Sequence, residues 1–188
     1  MTELRTTDSE LLGALMVPVR QADYPRDSRA FVRIDCSLRV YWHVLFDICP
    51  ELLKLSGPDG LAIYRPFMAW ANARQLSMNW TFYLWVYRWL LESEFRDQVT
   101  KEIAQSLTAA SAARWAVGDR SLSGGIVIGC ADFPELVVGW KCHSASGGRE
   151  VERLELEEPL PVPQGRLGYF TVAKFELDSF PGWSEIPR

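Results

Sequence analysis

Residues 122–143, LSGGIVIGCADFPELVVGWKCH, decide the fold class. The stretch from Leu122 to Cys130 carries the β-branched run Ile126-Val127-Ile128. Beyond the break around Asp132, the residues Leu136, Val138, Trp140 and Cys142 alternate with Val137, Lys141 and His143. Short apolar runs rich in β-branched residues and bounded by turn formers read as strands. Two further strands are expected, an acidic one over Val151 to Glu157 and a longer one over Leu167 to Leu177. Ser144 to Gly148 supplies a flexible hairpin loop, and Pro159-Leu160-Pro161-Val162-Pro163 a stiff extended connection. Consecutive strands with short links favour an antiparallel β-meander of about four strands.

Upstream of Gly118 the pattern is helical. Thr7-Asp8-Ser9-Glu10 has capping-box spacing and predicts a short helix to Met16, stopped by Pro18. From Ala30 to Ile48 every even position is apolar, the period of a strand, so a strand is expected over Phe31 to Cys36. Residues 37–48 fit a helix equally well through Leu38, Tyr41, Trp42, Leu45 and Ile48. A short helix begins at Pro50, and helical patterning resumes after the Pro58-Asp59-Gly60 turn. Phe95, Val99, Ile103 and Leu107 recur every four residues, which predicts one amphipathic helix ending near Gly118. The expected fold is α+β: a helix-rich part, 1–118, packed on a β-rich part, 119–188, in a single domain.

Composition narrows the function. The four cysteines, Cys36, Cys49, Cys130 and Cys142, form no paired-ligand spacing, so reduced thiols and no metal or cofactor are expected. The acidic start, with Glu3, Asp8 and Glu10 before a short apolar run, does not resemble a signal peptide and favours the cytoplasm. The densest apolar stretch, Met78 to Leu91, is shorter than the roughly 20 residues of a membrane span and contains Arg88. The net charge of −4 is uneven: residues 119–188 hold 11 acidic and 7 basic side chains. Nucleic acid, which demands clustered Lys and Arg, is not an expected ligand.

Several groupings invite chemistry. Cys142 and His143 are adjacent, but neighbours on a strand point to opposite faces, which separates a nucleophile from its base. Arg39, His43 and Asp47 are spaced by four, so a helix and a strand alike put them on one face, as a general base with its orienting carboxylate would require. Ser121 to Gly125 and Ser144 to Gly148 lack the surrounding residues of a phosphate loop or a nucleophile elbow and read as turns. Trp70, Trp80, Phe82, Tyr83, Trp85, Tyr87 and Trp89 surround most of a helical circumference, more rings than one core stripe accommodates. Glu152, Glu155 and Glu157, with Glu150 and Glu158, concentrate negative charge on one strand and its exit.

These features point first to a non-catalytic domain that binds a basic protein partner through Glu152, Glu155, Glu157 and Trp140, as an immunity protein neutralises a toxin. Two alternatives remain. One is a small-molecule binding domain with an aromatic pocket between helices and sheet. The other is a hydrolase or transferase working through Arg39, His43 and Asp47.

Overall fold

A computed structural model describes residues 18–141, 150–173 and 179–188. The expected helix before Met16, the Cys142-His143 pair and the Ser144 to Gly148 loop lie outside the described residues. The chain divides into two compact units, Met1–Leu76 and Ser77–Arg188. That division falls well before residue 118, where the patterning changes from helix to strand, because two of the helices pack with the sheet.

In the first unit a 3-10 turn, Pro18–Asp23, leads to α1 (Arg29–Phe46), α2 (Leu52–Ser56) and α3 (Leu61–Ala73). The strand expected over Phe31 to Cys36 is instead the first half of α1, and residues 37–46 continue the same helix. The Ser28 hydroxyl accepts from the Phe31 amide at 3.1 Å and starts the helix. No Gly or Pro interrupts the chain until Pro50. Apolar residues at every second position wrap around a helix, and the consequence is visible in the burial. Ile34, Leu38, Leu45 and Phe46 face the core, whereas Val32, Cys36 and Val40 recur every four residues on the exposed side. Gly60 opens α3 with φ +67, and a Cβ there would lie 2.5 Å from the Phe46 ring.

The second unit contains α4 (Phe82–Glu92), α5 (Lys101–Gly118) and a sheet of β1 (Gly125–Cys130), β2 (Phe133–Trp140), β3 (Val151–Leu154) and β4 (Leu167–Val172). The expected amphipathic helix begins later than Phe95. Arg96–Gln98 is a 3-10 turn, and the Thr100 hydroxyl caps α5 by accepting from the Ile103 amide at 3.4 Å. Ile103 and Leu107 of the proposed stripe are buried within α5, while Phe95 is buried ahead of it.

All strand pairs are antiparallel and the spatial order is β3-β2-β1-β4. The first three strands form a meander, and the Pro-rich connection returns β4 to the side of β1, the order of a Greek key. One face, with Ile126, Ile128, Val137 and Gly139, packs under α5. A Cβ on Gly139 would sit 2.6 Å from the Ala112 carbonyl oxygen of that helix.

Val127, Leu136, Val138, Trp140, Phe170 and Val172 build a second core on the opposite face. It is covered by Leu156, Leu160, Phe180 and Trp183. Trp183 lies over Gly129 and Gly168, where added Cβ atoms would strike its side chain, and its indole N–H donates to the Pro161 carbonyl. Burying each such apolar side chain contributes about 1.5–3 kcal/mol.

Substituting Gly139 with Ala should push α5 off the sheet and cost about 1–3 kcal/mol in urea unfolding. Gly118→Ala, where no atom lies within 4 Å of the added Cβ, should lose no stability.

Candidate functional site

Three regions carry polar groups in arrangements that chemistry or recognition can use. The first lies along α1. Arg39 and His43 line a cleft of about 430 Å³ together with Trp42, Tyr64 and Arg65. His43 Nδ1 is 3.4 Å from Asp47 Oδ2, as the spacing of four requires. Arg39 turns the other way and bonds Asp35 at 2.8 Å. Asp47 caps the helix outside the cleft, so the three residues share a helix face without converging on one point. Tyr64 is committed to the Leu38 carbonyl at 2.8 Å, and the Trp42 N–H to the Asp59 carbonyl at 2.7 Å. Among the described residues no group of three His, Cys, Asp or Glu side chains is placed to hold a metal.

A second region joins α4 to the turn between β1 and β2. The Tyr87 hydroxyl donates to Asp132 Oδ2 at 2.5 Å, and the Cys130 thiol lies 3.6 Å from Tyr87 Oη and 3.7 Å from Asp132 Oδ2. Arg166, at the start of β4, closes the group at 3.1 Å from Asp132 Oδ1. The register of β1 on β2 shifts between Ile128 and Cys130, which brings the thiol to this turn. Burial raises the Cys130 thiol to about 11, against the weaker lowering by the hydrogen bonds it shares with the Asp132 backbone and the Tyr87 hydroxyl. Burial, then the bond to Asp132, also drives Tyr87 upward. Both groups therefore keep their protons at neutral pH. The constellation ties helix to sheet and does not contain an activated thiolate.

Beside it runs a cleft of about 470 Å³, walled by Trp85, Tyr87 and Leu91 of α4, by residues 165–167 and by Glu185, Ile186 and Arg188. Of the aromatic residues singled out in the sequence, Phe82, Tyr83, Trp85, Tyr87 and Trp89 are all buried, so most of that ring cluster is core. Asn79 and Thr81 serve the start of α4, where Asn79 Oδ1 accepts from the Thr81 amide at 2.9 Å.

The acidic strand is the third region. β3 is a sheet edge, and Glu152, Glu155 and Glu157 are exposed. None of the three makes an ion pair among the described residues. Trp140, expected beside them, is only 8 % exposed and belongs to the second sheet core, because its ring fills the space above Gly125. The strand ends at Leu154, so Glu155 and Glu157 lie on the connection that follows it. Ser121 to Gly125 is a turn held by Asp119, whose carboxylate accepts from the Ser121 amide at 2.8 Å. No helix among the described residues is long and apolar enough to cross a membrane.

Sequence reasoning did not find Tyr87, Asp132 and Arg166 as a group. Tyr87 and Asp132 are 45 residues apart, and Arg166 is 34 beyond Asp132. Only the packing of α4 and the pairing of β4 with β1 join them. Compared with known proteins, residues 21–187 match a family described as methanobactin biosynthesis cassette protein MbnC-like. No curated protein matches the chain.

Native-state alkylation should label exposed Cys36 rapidly and leave buried Cys49 and Cys130 protected, as peptide mass spectrometry would read. Burial first, then the neighbouring Glu51, raises Cys49 from its ordinary 9.0 to about 12. The folded chain thus holds this proton more tightly than the unfolded one. That part of the stability is present below pH 9 and declines as pH rises toward 12, which urea titrations across the interval would detect.

Proposed function

The chain belongs to the MbnC-like family, and from that premise we propose that it serves methanobactin biosynthesis as a non-catalytic component that binds another protein. The observation that carries this reading is the exposed acidic edge. Residues 150–158, EVERLELEE, hold five glutamates and one arginine, and they run along and beyond the outermost strand. Unpaired carboxylates on an edge strand hinder pairing with a second copy of the same edge. They also give a basic partner a long-range attraction that speeds encounter. Family membership favours a partner within the biosynthetic cassette over the toxin suggested by charge alone. Leu154, 37 % exposed between these glutamates, adds apolar contact at the same edge.

Reversing Glu152, Glu155 and Glu157 together to Lys should slow association with a basic cassette partner about tenfold or more at low salt, with a smaller difference at high salt. The fold should survive, since all three side chains are exposed. His43→Ala, a change on α1, should leave association unchanged. Surface plasmon resonance after circular dichroism measures both. An unaltered association rate in the triple variant would overturn the proposal, and loss of function in His43→Ala alone would move the assignment to the α1 cleft.

A further inference from the structure

The cleft beside α4 has an electrostatic character opposite to that of the acidic edge. Its wall includes four arginines, Arg88, Arg96, Arg166 and Arg188, against two glutamates, Glu92 and Glu185. Two of the arginines are occupied. Arg88 pairs with Glu92 at 3.4 Å, and Arg166 with Asp132 at 3.1 Å. Arg96 and Arg188 make no ion pair among the described residues, although both side chains are exposed and face the same cleft. A guanidinium group without a carboxylate partner is free to offer paired N–H bonds to an anion that enters the cleft.

The remaining wall is apolar. Trp85, Leu91, Leu167 and Ile186 line it. The wall residues from the chain's last segment are held in place. Ser184 exchanges both backbone hydrogen bonds with Tyr169, at 2.8 and 3.1 Å, and the Arg188 carbonyl accepts from the Ser77 hydroxyl at 3.1 Å.

We propose that this cleft binds a carboxylate carried on an aromatic or apolar body. Arg96 and Arg188 hold the carboxylate, and the body lies along Leu91, Ile186 and the Trp85 ring. A volume of about 470 Å³ suits a small organic acid or one acidic residue of a peptide with its neighbour. Glu92 and Glu185 in the same wall oppose a more highly charged group such as phosphate. The inference does not depend on the docking role of the acidic edge, because the two regions share no residue.

Isothermal titration of the full chain tests it with 3-phenylpropionate, its neutral amide, inorganic phosphate, acetyl-Phe-Glu-amide and acetyl-Phe-Gln-amide. One or both carboxylates should bind saturably, about tenfold or more tighter than the matching amide, and more weakly as salt rises. Tighter binding of the free acid identifies a small-molecule ligand, and tighter binding of the Glu peptide identifies a peptide. The double variant Arg96→Gln, Arg188→Gln alters two exposed side chains and should fold, yet weaken binding about tenfold or more. The Glu152, Glu155 and Glu157 reversal should leave binding within about twofold. In ¹⁵N spectra the Trp85 indole cross-peak, identified by its loss in Trp85→Phe, should shift on adding the carboxylate. Equal binding of acid and amide, preference for phosphate, no saturable binding of any probe, or an unaffected double variant would each overturn the proposal.

Discussion

Every one of the six residues of β1 is buried, and the architecture of the second unit follows from that constraint. A strand shielded on both faces needs an apolar layer above and below it. Helix α5 supplies one layer, approaching closely because Gly139 offers no side chain against Ala112. The other layer is irregular chain. Trp183, Phe180 and the Pro159–Pro163 connection cover the far face, with ring centroids of Phe170 and Trp183 at 5.2 Å and of Phe180 and Trp183 at 5.3 Å. Gly129 and Gly168, paired across β1 and β4, leave the flat patch on which the indole rests.

This layering also places the polar chemistry. Because β4 returns to the side of β1, Arg166 arrives next to the β1–β2 turn and meets Asp132, while α4 brings Tyr87 from above. The resulting group is a chain of hydrogen bonds closed by an ion pair, so it acts as a bolt between helix and sheet. The same return path carries the last residues of the chain along α4, and a basic cleft opens within a unit whose sheet edge is acidic. Charge is segregated within one unit: carboxylates line the β3 edge, and guanidinium groups line the α4 cleft. Such separation lets one small unit present two surfaces with different ligand preferences.

Much of the fold was legible locally. The α+β class, the antiparallel sheet in the last third of the chain and the burial of Ile103 and Leu107 follow from period and turn chemistry, which act over a few residues. The exposure of Glu152, Glu155 and Glu157 follows from the cost of burying charge. The reading of residues 31–36 as a strand did not hold, because an alternating apolar pattern long enough to fit both periods is decided by its cap and its neighbours. Ser28 started a helix, and the surplus apolar residues Val32 and Val40 were left outside. Local patterning likewise says nothing of how far a ring is buried by distant chain, so Trp140 belonged to a core and not to the acidic surface.

By itself, the sequence determined which segments are helix and which are strand wherever one period dominates, where the acidity lies, and that Arg39, His43 and Asp47 share a face. Only the tertiary structure decided that β4 pairs with β1, that Tyr87, Cys130, Asp132 and Arg166 meet, and that Arg96 and Arg188 face one cleft. The physical reason is range. Helical and strand periods are set by torsions and neighbours a few residues away, whereas Tyr87 and Asp132 are 45 positions apart and Asp132 and Arg166 are 34 apart, and they meet through helix packing and strand pairing that no local pattern encodes.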